Sequence, residues 1–190
     1  MFRYVLSLGL RLTLVCLVAA IGLGLTYSAV ESRIVEMELE ERGKAGKEVL
    51  APLDAKPQEI DEGELAALQE KFPELVSVFE GIDENGNLVG YAIVVKGKGY
   101  SFFTMAVGVD MEGKVSGIEV VQHEETPGLG GSVVENSEFL YQFIDGGPED
   151  FVLGEGIDAK TGATMTSRGL TDGVNYTLEI WRDITLKGGQ

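Results

Sequence analysis

Cysteine and histidine are almost missing from this chain of 190 residues, which holds one of each, Cys16 and His123. A lone cysteine excludes an internal disulfide, a four-cysteine zinc site and an iron–sulfur cluster held by this chain alone. A lone histidine excludes every two-histidine metal motif. Cys16 lies in an apolar run as a small filler, and Leu14 and Val15 before it lack the small-residue context of a lipoprotein cysteine. Positive charge is scarce too: Lys and Arg number 15 against 31 Asp and Glu, a formal net charge of -16. Arg3, Arg11 and Arg33 fall in the first segment, so the remainder is more acidic still. That balance argues against nucleic acid and against polybasic docking on anionic lipid. No metal site and no catalytic residue is predicted. His123 beside Glu124 reads as a polar strand end, and Ser132 has no nucleophile-elbow context.

What the chain does have begins with an uncharged run over residues 12–29, preceded by apolar residues 5–10. This is long enough for a transmembrane helix. Arg3 and Arg11 lie on its N-terminal side, and Glu31, Arg33, Glu36 and Glu38 beyond it. The positive-inside bias then puts the N-terminus in the cytoplasm and the rest outside. The rival is a cleaved signal peptide with Thr26-Tyr27-Ser28 as its cleavage site, but the run is longer than a signal core. The chain is therefore predicted as a transmembrane anchor (1–29), a juxtamembrane helix and linker (30–60) and one extracytoplasmic domain (61–190). Pro52 and Pro57 mark the linker. A short helix is predicted over 61–72, capped by Asp61 and stopped by Pro73.

The hydrophobic period then changes from helical to alternating. Strands are predicted at 75–79, 88–95, 102–109 and 115–122, with turn-rich breaks at 81–87 and 110–114. The two hairpins match at a fixed offset: Asp83, Gly86, Leu88 and Gly90 align with Asp110, Gly113, Val115 and Gly117. Internal duplication and convergence on one turn chemistry both explain the match. Gly97-Lys98-Gly99-Tyr100 reads as the hairpin connection between the pairs, since no helix follows it as a phosphate loop would need. A short amphipathic helix is predicted around 139–143. A last helix over 168–181 presents Leu170, Val174, Thr177, Leu178 and Trp181 as its buried stripe, with a frayed end from Leu186. The fold class is α+β: a twisted antiparallel sheet with flanking helices behind an N-terminal membrane helix.

Two stretches carry chemistry. Asp158-Ala159-Lys160-Thr161-Gly162-Ala163-Thr164-Met165-Thr166-Ser167 sets hydroxyls and small residues at the mouth of the last helix. Helix N-termini present unpaired N–H groups and partial positive charge, so a phosphate is at home there. It is not a Walker loop, because Ala163 rather than lysine follows Gly162. An ordinary helix cap by Thr166 or Ser167 explains the composition equally well. The second stretch is Glu125-Thr126-Pro127-Gly128-Leu129-Gly130, where Pro127 fixes φ and the glycines permit close backbone approach, as in a loop laid against a planar ring or in a plain irregular loop.

Together these strings resemble the covalent FMN-binding family formed by the G-type subunit of the Rnf electron-transport complex and the C-type subunit of the sodium-translocating NADH:quinone oxidoreductase. Asp158-x-x-Thr161-Gly162-Ala163-Thr164 is similar to the family's flavin acceptor motif, Asp-x-x-(Ser/Thr)-Gly-Ala-Thr. The resemblance implies that a flavin transferase moves FMN from FAD onto Thr164 as a phosphoester. Asp158, Thr161, Gly162, Ala163, Met165 and Thr166 would surround the acceptor. It also implies that Glu125, Thr126, Pro127, Gly128, Leu129 and Gly130 help enclose the isoalloxazine ring. Gly97-Lys98-Gly99-Tyr100 adds to the likeness, and the short chain fits the Rnf member better than the longer member from the quinone reductase.

The function so implied is a membrane-anchored electron carrier, not a substrate-converting enzyme on its own. It would sit in a complex coupling ferredoxin and NAD oxidoreduction to ion transfer, with other subunits as partners. Two alternatives stand beside it: a stand-alone extracytoplasmic FMN-domain protein serving another reductase, and a tethered assembly domain without cofactor.

Overall fold

The structure, a computed structural model, describes residues 2–188. Packing divides the chain into two compact units, Met1–Glu40 and Glu41–Gln190. The first unit belongs to helix α1, Phe2–Leu50, which is long and apolar enough to cross a membrane. Leu10, Leu14, Leu17, Ile21 and Leu25 are each more than half exposed, so the chain itself does not cover them. Apolar side chains all round a helix suit lipid rather than water.

The second unit is built on a five-stranded antiparallel sheet in the order β1-β2-β3-β4-β5. The strands are β1 (Lys56–Glu59), β2 (Leu75–Ile82), β3 (Leu88–Lys98), β4 (Phe102–Asp110) and β5 (Val115–His123). Helix α2 (Glu62–Lys71) links β1 to β2. After β5 come α3 (Gly131–Val134), α4 (Ser137–Tyr141), the two-residue strands β6 (Val152–Leu153) and β7 (Gly156–Ile157), and α5 (Thr164–Gly188).

Alternation along the strands gives the sheet two apolar faces. On one, Ile93 and Val95 of β3 and Met105, Val107 and Val109 of β4 pack under α5, which buries Leu170, Val174, Leu178, Ile180 and Trp181. The predicted stripe of α5 is therefore its core face. Thr171 and Thr177 are buried there because each hydroxyl donates to the carbonyl four residues back, Ser167 at 2.9 Å and Gly173 at 3.0 Å. On the other face, Ala45, Val49 and Leu50 from the end of α1 cover Phe79, Ala92, Val94 and Ala106. Gly108 and Gly117 lie opposite one another in the β4–β5 ladder, and a Cβ on Gly117 would come within 2.8 Å of Val49 Cα. The Ser116 hydroxyl donates to the Val49 carbonyl at 2.7 Å and fixes that contact.

The two matched hairpins share register as well as sequence. Gly81 pairs with Gly90 and Gly108 with Gly117, and a bulge follows at the same place in each. Asp83 Oδ1 accepts the N–H groups of Asn85 and Asn87, both at 2.8 Å. Asp110 Oδ1 accepts those of Glu112 at 2.8 Å and Lys114 at 2.9 Å. Gly86 and Gly113 take φ of 85° and 86°, the left-handed turn that favours glycine.

Three predictions about local structure change. The proline-marked stretch after α1 contains β1, where Pro57 pairs with Gly81; proline is tolerated because an edge strand is paired on one side only. The loop after β5 ends in the helical turn α3, which the run of glycines concealed. Helix α5 starts at Thr164 and continues to Gly188, so the expected fraying from Leu186 is not seen up to there; Gly189 and Gln190 lie outside the described residues.

Candidate functional site

The acceptor segment enters α5 through a tight reversal. Gly162 takes a φ of 84°, and the Ala163 N–H donates to the Lys160 carbonyl at 3.0 Å. The first intrahelical bond runs from the Ser167 N–H to the Ala163 carbonyl at 2.9 Å. The amides of Thr164, Met165 and Thr166 precede that bond and have no partner within the helix. Thr164 is thus the first helical residue, exposed, with its hydroxyl beside the positive end of α5.

Thr166 and Ser167 are not the cap. Both are buried within the first turn. Ser167 Oγ donates to the Ala163 carbonyl at 3.1 Å and accepts the Lys160 N–H at 3.2 Å, which ties the reversal to the helix. Lys160 Nζ donates to the Ser132 carbonyl at 2.7 Å and so joins the acceptor segment to the start of α3.

The loop after β5 lies opposite. The Leu129 N–H donates to the Thr126 carbonyl at 3.1 Å, with Pro127 and Gly128 between them and Gly128 at a φ of 79°. Proline followed by positive-φ glycine is the arrangement of a type II turn. Glu125 enters the interior just before that turn and is 4% exposed. Its Oε1 accepts the Ser101 N–H at 3.0 Å, while its buried Oε2 has no hydrogen-bond partner in the chain. The carboxylate fits because its neighbours lack side chains. A Cβ on Gly99 would lie 2.6 Å from Glu125 Oε1 and 2.8 Å from Thr166 Cα, and one on Gly130 would overlap Glu125 Oε2. Gly169 of α5 closes on the Lys98–Gly99 backbone in the same way.

Between the two stretches opens a cleft of about 430 Å³, within the usual range of small-ligand pockets. Glu125, Thr126, Leu129 and Gly130 line one side, and Gly162, Ala163, Thr164, Met165 and Thr166 the other. Pro127 and Gly128 form the exposed outer corner of the turn, outside the lining. Asp158 and Thr161 are exposed on the approach to α5, and the Asp158 backbone is held by Gln142, whose Oε1 accepts its N–H at 2.7 Å. Sequence reasoning missed Tyr100, which lines the cleft and is 71% exposed, and Ser101, which holds Glu125. The only signal for them was the Gly97-Lys98-Gly99-Tyr100 string. A larger groove of about 710 Å³ runs along β5 and contains none of the predicted site residues.

These features can be set against known proteins. The family model of the FMN-binding domain matches residues 99–179, which contain the whole cleft. The G-type subunit of the Na(+)-translocating ferredoxin:NAD(+) oxidoreductase complex of Acetobacterium woodii is 31% identical, across 97% of this chain and 95% of its own length. Its counterpart in the ion-translocating oxidoreductase complex of Methanosarcina acetivorans is 29% identical, across 85% of this chain and 86% of the relative. The Pseudomonas aeruginosa counterpart is 30% identical, across 95% and 88%. With both motifs in one cleft and these likenesses over nearly its whole length, the chain belongs to the family of G-type subunits of ion-translocating (Rnf) oxidoreductase complexes.

Proposed function

We propose that this protein is an electron carrier of an ion-translocating oxidoreductase, and that it holds FMN in the cleft by a phosphoester to Thr164. The observation that carries the reading is the position of Thr164: an exposed hydroxyl on the first residue of α5, at the cleft wall and beside unpaired amides. A phosphate there meets the positive end of a helix, worth about 0.3–1 kcal/mol when exposed.

The residues fit the group. Tyr100, Leu129 and Met165 supply apolar walls for a planar ring, and the orphaned Glu125 Oε2 is an acceptor without a donor. Gly162, on which a Cβ would meet nothing within 4 Å, leaves the approach to Thr164 open. FMN, when bound, supplies one- and two-electron redox chemistry. The chain's own part is to bind and orient. A flavin transferase would join the FMN phosphate of FAD to Thr164 Oγ1, with the bond to AMP breaking, AMP leaving and the hydroxyl giving up its proton. The first turn of α5 would then face the phosphate with its positive end, while Glu125 and the Thr126 turn hold one side of the cleft.

The anchor is residues 1–29 in the cytoplasmic (inner) membrane, crossing once with its N-terminus inside. Residues 30–60 connect it to the flavin domain, 61–190, on the extracytoplasmic side. Its partners are the other subunits of the membrane complex, between whose redox centres it passes electrons.

The test is expression together with a flavin transferase, followed by a denaturing gel. The chain should run as a fluorescent flavin band with an intact mass increased by the FMN moiety. Thr164→Val should lose both. A band persisting in that variant would move the acceptor to another hydroxyl, and an unmodified mass in the unmutated chain would end the covalent reading.

A further inference from the structure

Strand β5 is an edge of the sheet, and most of its outer side is open. At its start the chain covers that side itself: the Val115 N–H donates to the Gly146 carbonyl and the Asp145 N–H to the Val115 carbonyl, both at 2.9 Å. Beyond Val115, no outward backbone hydrogen bond from β5 is made among the described residues. The ladder to β4 skips Ser116 and Val121, so Gly117–Val120 is the regular stretch between two bulges. Four residues span about 13 Å of strand.

The groove of about 710 Å³ beside this stretch has two unlike walls. Ile118 and Val120 face the α5 side of the sheet and continue into Leu140 and Ile144, with Tyr141 on the rim, 69% exposed. Glu119 points the other way, toward Glu48. Burial, and then the Glu48 carboxylate, push its carboxyl above the ordinary glutamate range. Glu135, Asp110 and Asp145 add further negative charge along the groove. The lysine there is already engaged, with Lys114 Nζ 2.9 Å from Glu112, and the His123 imidazole Nε2 lies 3.4 Å from Glu135.

We propose that the open edge of β5 is a docking site for an extended segment of another polypeptide, added as a sixth strand, in which lysine or arginine alternates with branched apolar residues. Main-chain pairing along Gly117–Val120 supplies the affinity, and the two walls read alternate side chains, cations over Glu48 and Glu119 and apolar groups over Ile118 and Val120. The acidic wall would also disfavour strands that bring no cation to it, since a charge on the pairing strand guards an open edge. This docking does not depend on flavin at Thr164.

The test uses the full chain in detergent micelles and three blocked, labelled peptides: Lys-Val-Lys-Val-Lys, Glu-Val-Glu-Val-Glu, and the lysine peptide with alternate amides N-methylated. The lysine peptide should bind at least tenfold more tightly than either of the others and protect from hydrogen exchange the outward-facing amides within Gly117–Val120, those that β4 does not already hold. Glu119→Lys should reverse the preference between the first two peptides. Binding that survives N-methylation equally well would reduce the effect to charge attraction and overturn the proposal. So would failure of the lysine peptide to bind, or protection that rises with protein concentration alone, which would make the occupant a second copy of this chain.

Discussion

Glu125 is the residue on which most of the site's constraints converge. Its burial requires Gly99 and Gly130 to lack side chains, and its Oε1 depends on the Ser101 N–H. A buried, unmet acceptor such as Oε2 costs about 1–3 kcal/mol. If a donor on the bound flavin meets it, part of that cost is relieved on loading. Flavin attachment should therefore raise Tm in the unmutated chain by several degrees more than in Glu125→Ala, as read by differential scanning calorimetry of loaded and unloaded forms. Equal gains in the two proteins would leave Glu125 as a structural residue alone. The motif string alone could single out Glu125, but not its burial, because Gly99 and Ser101, two of the three residues that fix it, come from a distant part of the chain.

Among the elements, β5 shows how one strand serves two faces. Val115, Ile118 and Val120 feed the core under α5, while Ser116 and Gly117 press on the end of α1 and Glu119 faces Glu48. Because the folded protein holds the Glu119 proton more tightly than the unfolded chain does, this residue costs stability as pH rises from the ordinary glutamate range through its raised value. Below that window both states are protonated and the cost is absent. Glu119→Gln, which mimics the protonated form, should stabilise the protein at neutral pH by under about 1 kcal/mol, since the half-buried carboxylate is still screened by solvent. Urea denaturation at neutral and acidic pH checks the sign, since the gain should vanish in acid. Helix α5 is the contrasting case: its stripe was legible because five inward residues recur at helical spacing, whereas its start was not. Thr166 and Ser167 look like caps by type, and only the reversal at Gly162 shows that the helix opens at Thr164.

For the molecule as a whole, packing and function divide the chain at different places. Ala45, Val49, Leu50, Ala55 and the strand β1 belong to the folded unit that starts at Glu41, although the proposed flavin domain starts at residue 61. A chain begun at residue 61 would bare Phe79, Ala92, Val94 and Ala106 on one face of the sheet. Exposed apolar surface of that kind favours association. Residues 41–190 expressed alone should be monomeric and unfold cooperatively, whereas 61–190 should aggregate or bind a hydrophobic dye. Size-exclusion chromatography with thermal unfolding distinguishes the two, and a well-behaved 61–190 fragment would show that the α1 face contributes little.

The sequence by itself determined what depends on neighbours along the chain: the apolar run of α1, the two hairpins with their Asp and Gly turns, the inward stripe of α5, and the pair of motif strings that mark the family. These follow from periodicity, turn chemistry and literal residue order, which need no partner to be read. Tertiary structure decided what depends on residues far apart. It placed Glu125 between Gly99 and Gly130, brought Tyr100 to the cleft, turned a proline-marked stretch into the edge strand β1, and left β5 open on its outer side. Pairing, burial and close approach are properties of surfaces in contact, and a linear pattern carries only one side of each contact.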